Sequence, residues 1–162
     1  MTGNRETTFS PDRKYRYTLW REWSELLGED RICNFICLNP STADETKDDP
    51  TIRRCIDFSK RWGYTAFVMT NLFAWRDTSP TEMMKQAKPI GAENDDWIHG
   101  VASYASRVVI AWGKDGGHMG RGPIVRRMLQ ESGIRLHHLG RCQNGEPKHP
   151  LYLPKITMPQ AW

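Results

Sequence analysis

Four segments of the chain place polar side chains directly after apolar runs that are typical of buried strands. They are residues 39–49, 71–77, 113–122 and 141–154. In open α/β sheets, ligands bind at the carboxyl ends of the strands, where such segments come together. These four segments are therefore the candidates for chemistry in this sequence.

Asparagines begin two of these segments. Asn39 is followed by Pro40 and Ser41, so its amide would be held at a strand end, where it could position a water molecule. We predict that Ser41 contacts a base. Asn71 offers one acceptor and two donors, a set that suits reading the edge of a base. Two structural roles stay open: Asn39 could bond its own turn, and Asn71 could support a neighbouring loop.

An acidic loop follows the first asparagine. It contains Asp44, Glu45, Asp48 and Asp49, and clustered carboxylates are the ligands that magnesium prefers. However, Asp49 precedes Pro50 as a helix N-cap would, and acidic loops are often simply solvated. We therefore expect no metal and no other cofactor.

The segment Gly113–Gly122 has five glycines, with cationic side chains between them. Backbone N–H groups without neighbouring Cβ atoms can bind an anion at a helix N-terminus. No Gly-Lys-Ser/Thr closes the segment, so it is not a Walker motif, and a flexible turn is the alternative. The residues that we predict to contact phosphate or nucleic acid here and in the following basic region are Lys114, Gly116, Gly117, Arg121, Arg126, Lys148 and Leu151.

The last segment places His149 between Pro147 and Pro150, with Leu151 and Tyr152 after it. A lone histidine is usually structural or exposed. Here, proline-stiffened backbone and the large side chains that follow could insert into a base stack and hold a displaced base.

The elements that position these segments alternate along the chain. We predict strands at 15–23, 32–38, 66–70, 107–112 and 134–139, and helices at 50–62, 79–87, 92–105 and 123–131. Such alternation indicates crossover connections and a mainly parallel sheet. The expected fold is a three-layer α/β/α sandwich of about four core strands with an N-terminal edge strand or hairpin. Residues 1–12 should be loose, residues 13–162 a single domain, and the tail from residue 141 irregular.

Composition narrows the class of protein further. The 162 residues carry a formal charge of +4, and no apolar run reaches bilayer length. No signal-peptide pattern begins the chain, so we expect a cytoplasmic protein with no membrane partner. Four cysteines lack zinc or redox spacing and should be reduced thiols. Residues 121–162 hold seven Lys or Arg and two acids; this favours a nucleic-acid partner, with a solvated basic face as the alternative.

With these segments in place, the chain resembles the domain-of-unknown-function 1643 family. The match is carried by residues 38–44, 48–55 and 70–76. By itself this resemblance implies no function.

The order of the segments is also similar to that of the uracil–DNA glycosylase superfamily. The matching positions are Asn39-Pro40-Ser41, Asn71, Val108–Lys114 and His149-Pro150-Leu151. The resemblance implies that Asn39 places a water, Asn71 reads the base, His149 stabilises the departing base and Leu151 inserts into DNA. Asn39 replaces the Asp of the strongest enzymes, and no Ser follows His149-Pro150. Candidates for stacking on the base are Phe73, Trp75 and Tyr152.

The expected function is hydrolysis of an N-glycosidic bond to a nucleobase, in DNA, in repair or in modified-base processing. Three alternatives stay open. One is a non-catalytic module that binds nucleic acid or modified bases, and another is an enzyme acting on free nucleotides. A magnesium-dependent phosphoesterase built on the acidic loop is the third. The sequence does not indicate an oligomeric state.

Overall fold

Apolar runs become strands and capped amphipathic segments become helices in the computed structural model, which describes residues 4–24 and 31–162. The strands are β1 (Arg5–Phe9), β2 (Arg16–Glu22), β3 (Ile32–Cys37), β4 (Ala66–Asn71), β5 (Arg107–Ile110), β6 (Leu136–His138) and β7 (Gln160–Ala161). The helices are α1 (Pro50–Arg61), α2 (Pro80–Met84), α3 (Asn94–Tyr104) and α4 (Arg121–Glu131). The protein is therefore of mixed α/β class.

One seven-stranded sheet has the order β1-β2-β4-β3-β5-β6-β7. The four neighbours β4, β3, β5 and β6 run parallel. The pairs β1–β2, β2–β4 and β6–β7 are antiparallel. This corrects the expectation of a mainly parallel sheet, because an N-terminal hairpin and the returning C-terminal tail add antiparallel strands at both edges.

Both ends of the chain differ from expectation. Arg5–Phe9 lie within the segment expected to be loose, yet they form β1 by pairing with β2. Gln160–Ala161 lie in the tail expected to be irregular, yet they pair with β6. Residues 1–3 of the predicted loose segment lie outside the described residues. In both places a short polar run forms a strand because a neighbouring strand supplies its hydrogen-bonding partner.

Helices cover both faces of the sheet. On β3, Phe35 faces the side where α1 packs through Phe58. The next residue, Ile36, faces the opposite side, where Ile98 of α3 and Leu129 of α4 pack. Residues of β3 are therefore buried on both faces, as the uninterrupted apolar run of this strand predicts.

Three of the four cysteines are buried as free thiols. Burial raises the pKa of the Cys33 thiol to about 12, which keeps this thiol protonated. None of the helices within residues 4–24 and 31–162 is long and apolar enough to cross a membrane. The cytoplasmic location stays a prediction.

Candidate functional site

A cavity of about 390 Å³ lies at the carboxyl ends of β3 and β4. Parallel strands bring these ends to one edge of the sheet, so the loops that follow them share a wall. The loop that contains His149 is bonded to the backbone just beyond β5 and forms part of the cavity wall. Five residues singled out from the sequence line this cavity: Asn39, Ser41, Asn71, His149 and Leu151.

Asn39 is held by the backbone of its own loop and of the loop that follows β4. Its Nδ2 donates to the carbonyl oxygen of Asp77 at 2.9 Å and to that of Pro40 at 3.2 Å. Its Oδ1 accepts no hydrogen bond from the described residues, so this oxygen is left for a ligand or a water. The structural alternative, in which Asn39 hydrogen-bonds the backbone, therefore involves only its amide nitrogen.

Asn71 is only 2% exposed at the end of β4. The Nδ2 of Asn94, on α3, donates to the carbonyl oxygens of Asn71 and Leu72 at 2.8 and 3.0 Å. This anchors the backbone at the strand end. The Asn71 side-chain amide makes no hydrogen bond with the described residues, which leaves both of its polar atoms for a ligand in the cavity.

The loop of His149 is tied to the ends of neighbouring strands by its backbone. The N–H of Gly113, just beyond β5, donates to the carbonyl of Pro147 at 2.8 Å, and the N–H of Lys148 donates to the carbonyl of Gly140 at 2.9 Å. Gly113 has φ of 79°, a left-handed conformation that glycine adopts readily. The chain therefore turns sharply here, beside the His149 loop, where a Cβ on Gly113 would lie 3.5 Å from the Cβ of His149.

The tautomer of His149 follows from one hydrogen bond. Nδ1 accepts from the backbone N–H of Leu151 at 3.2 Å, so the ring proton is on Nε2. Burial lowers the pKa of His149, and the negative charge of Asp49 opposes this in part. At neutral pH the ring is uncharged and offers Nε2–H as a donor.

Two charged residues in the cavity wall were not among the residues predicted for base hydrolysis, although Asp49 belongs to the acidic loop that was considered for magnesium. Arg16, on β2, is 2% exposed, and its Nη1 donates to the carbonyl oxygen of Ala43 at 2.9 Å. Asp49 is 8% exposed, and its Oδ1 accepts from the N–H of Ile52 at 2.9 Å as the N-cap of α1. The second Asp49 oxygen accepts no hydrogen bond from the described residues. The cap was predicted and Asp49 belongs to the candidate segment 39–49, whereas no sequence signal places the Arg16 side chain in the cavity.

Comparison with known proteins gives one match. Residues 16–151 match the model of a family described as a protein of unknown function, DUF1643. The chain belongs to the DUF1643 family. No curated protein and no solved structure matches it. The matched range of this DUF1643 protein includes every cavity residue from Arg16 to Leu151, but the family description assigns them no activity.

Two aromatic candidates of this DUF1643 protein lie away from the cavity wall. Phe73 is fully buried and packs against the His118 ring at 5.4 Å between centroids. Tyr152 is 93% exposed and lies in a neighbouring depression. The third candidate, Trp75, packs edge-on against Tyr15 at 5.4 Å. None of these three candidate rings therefore lines the cavity.

The glycine-rich segment forms a 3-10 turn, Lys114–Gly120, that leads into α4. A Cβ at Gly116 would overlap the Trp112 ring, and one at Gly122 would lie 2.8 Å from Oε2 of Glu146. Trp112 Nε1 donates to this same oxygen. These two glycines are therefore required by the close approach of backbone to the Trp112–Glu146 pair.

The remaining predicted phosphate ligands are dispersed. Arg121 is 3% exposed, where it donates to the carbonyl of Leu72 and pairs with Asp95 at 2.7 Å. Arg126 lies 4.9 Å from the Trp162 ring centroid. Lys114, Gly117 and Lys148 are exposed. None of the predicted phosphate ligands except Leu151 lines the cavity.

The acidic loop is neutralised within the protein. Asp44 Oδ1 accepts from the backbone N–H groups of Thr46 and Lys47, both at 2.8 Å, and these bonds lower the Asp44 pKa to about 2. Asp48 pairs with the buried Arg21 at 2.9 Å. Within residues 4–24 and 31–162, no group of three His, Cys, Asp or Glu side chains could hold a metal ion. The loop instead fixes the start of α1 against β2.

Proposed function

We propose that this protein hydrolyses the N-glycosidic bond of a nucleobase, most favourably a base in DNA. This proposal rests on one observation: Asn39, Asn71 and His149 come from three separate segments and line one cavity. Its volume, about 390 Å³, is in the range of small-molecule sites. Four neighbouring parallel strands with helices on both faces support the proposed relation to uracil–DNA glycosylases.

His149 is the proposed donor to the departing base. Cleavage passes through an oxocarbenium-like sugar while negative charge develops on the base. A fixed donor that points to developing charge lowers the barrier without reorganisation. The bond from the Leu151 N–H to Nδ1 supports this role, because it holds Nε2–H as the donor at neutral pH.

Asn39 and Asp49 are the proposed water-activating residues. Asn39 Oδ1 would accept one hydrogen bond from the water, with its amide nitrogen already held by Asp77. Asp49 adds the charged base that Asn39 cannot provide, through the oxygen that does not cap α1. Proton transfer to a positioned carboxylate is a common route to activating water.

A basic depression beside the cavity supports a nucleic-acid substrate. It shares Pro50 and Leu151 with the cavity and is also lined by Arg53, Arg54, Asp57, Tyr152 and Lys155. Cationic side chains bind phosphates, and exposed aromatic rings stack on bases. Tyr152 is exposed and has a positive φ of 70°, a strained backbone conformation of a kind that clusters at functional sites.

The test uses labelled oligonucleotides that contain uracil, hypoxanthine, 5-hydroxymethyluracil or only normal bases, followed by alkali. We expect base-dependent strand cleavage that falls by roughly 10²–10³-fold in His149→Ala and also falls in Asn39→Ala. His99→Ala is the matched control, because His99 lies on α3, bonds Ser132 at the end of α4 and does not line the cavity. A salt-sensitive mobility shift without cleavage would instead indicate a binding module.

A further inference from the structure

Arg16 has a buried charge that no carboxylate pairs with among residues 4–24 and 31–162. Three arginines are at least nine-tenths buried in the part of the chain that the structure describes, namely Arg16, Arg21 and Arg121. Arg21 pairs with Asp48 at 2.9 Å and Arg121 pairs with Asp95 at 2.7 Å. Arg16 has no such pair among the described residues, and its Nε has no hydrogen-bond partner there.

The surroundings of Arg16 only partly balance its charge. Burial lowers its pKa to about 10, Asp49 opposes that effect from beyond ion-pair distance, and the charges of Arg76 and Arg21 add to it. The guanidinium is therefore still charged at neutral pH. A buried cation is costly unless it is paired, so the site favours a ligand that brings negative charge.

Two further hydrogen-bond donors without a partner among the described residues line the cavity with Arg16. Asn71 contributes a side-chain amide that no described residue binds, and His149 contributes Nε2–H. Both share the cavity wall with the Arg16 side chain. Three donor groups from β2, the end of β4 and the His149 loop thus converge on one space, and this arrangement fits a ligand with several acceptor atoms.

We propose that Arg16 binds the departing base as an anion whose charge is spread over a ring nitrogen and a carbonyl oxygen. This inference rests on the proposed hydrolase function. The glycosidic bond breaks with its electron pair going to the base nitrogen, and the water oxygen bonds the sugar carbon. The water gives one proton to Asp49, and that proton leaves with the base on release, so charge and atoms balance.

The inference also predicts how the free base binds, and this can be measured without any cleavage of DNA. The free base should bind more tightly when it is ionised, and 5-fluorouracil, which is more acidic than uracil, should gain affinity at a lower pH. Other charged or titratable groups near Arg16 are Asp49, Arg21, Arg76 and Cys37, and His149 and Asp77 lie in the same cavity wall. The ratio of the two affinities is compared at each pH. Titration of these protein groups affects both ligands alike, so its effect cancels in this ratio.

The experiment is calorimetric titration of the full chain with uracil, 5-fluorouracil and orthophosphate between pH 7 and 9. We expect the affinity of wild type for 5-fluorouracil over uracil to rise with pH. Arg16→Met should lose about tenfold or more in affinity for the ionised base, and Arg16→Lys should lose less. Arg107→Met is the control and should bind as wild type does, because Arg107 begins β5, does not line the cavity and is not among the charges that act on Arg16.

Each result decides the inference separately from the hydrolase proposal. Arg16-dependent binding of ionised base without any strand cleavage would support the inference and contradict the hydrolase. Cleavage with equal base binding by wild type and Arg16→Met would overturn the inference alone. Arg16-dependent binding of orthophosphate without base binding would also overturn it. If Arg16→Met does not fold, a pH-independent ratio of the two bases in wild type overturns it.

Discussion

His149 Nδ1 accepts a hydrogen bond from the backbone N–H of Leu151 at 3.2 Å. This contact lies within one loop, yet it decides which nitrogen of the imidazole ring carries the proton. Protonation of Nδ1 would remove the acceptor and leave the Leu151 N–H without its partner. The loop therefore favours the neutral ring, in the same direction as burial does.

The first prediction concerns pH. Burial lowers the pKa of His149 below the ordinary 6.5, so the unfolded chain binds a proton more readily than the folded protein does. This histidine therefore costs stability as pH falls below about 6.5 and costs none well above it. An NMR titration should place the His149 midpoint below 6.5. His149→Gln should weaken the fall in stability between pH 7 and 5; an unchanged fall would contradict the assignment.

The second prediction separates the two roles of Asp49. Asp49→Asn keeps an N-cap of similar quality, so stability should change little, whereas Asp49→Ala should lose about 1 kcal/mol. Both variants should cleave roughly 10²–10⁴-fold more slowly, because both lack the carboxylate base. Urea unfolding and the oligonucleotide assay measure the two effects. Wild-type cleavage by Asp49→Asn would exclude Asp49 as the base.

The third prediction concerns the packing of the glycine-rich turn. A Cβ at Gly116 would overlap the Trp112 ring, whereas one at Gly117 would meet nothing within 4 Å. Gly116→Ala should destabilise the protein by about 1–3 kcal/mol, as overpacking does. Gly117→Ala is the neighbouring control and should change little. Equal urea midpoints for the two variants would argue against this close contact.

The fourth prediction concerns the basic depression. If Lys155 contacts a phosphate, Lys155→Gln should weaken DNA binding for all sequences and reduce the salt slope by about one. Lys85→Gln is the control, since Lys85 lies on the C-terminal side of α2 and pairs with Glu82. Binding measured by fluorescence anisotropy across salt concentrations tests this. An unchanged slope for Lys155→Gln would remove this depression from the DNA path.

Several elements could be predicted from sequence because their signals are local. The apolar run at residues 32–38 predicts β3, and Asp49 followed by Pro50 predicts the start of α1. The shared wall of Asn39 and Asn71 also follows from sequence, because both end neighbouring parallel strands. The hydrophobic pattern of a strand, the N-cap of a helix and the residue that follows a strand are each encoded within a few neighbouring residues.

The sequence by itself determined the α/β alternation, the main helix starts and the strand-end asparagines, because each depends on neighbouring residues. Only the tertiary structure decided that Arg5–Phe9 form an edge strand, since a strand needs a partner distant in sequence. It also decided the environments of two arginine side chains: Arg121 pairs with Asp95 inside the protein, and Arg16 lines a cavity. Burial of a charged side chain depends on what packs over it, and for Arg16 that includes the loop carrying Ala43, 27 residues away.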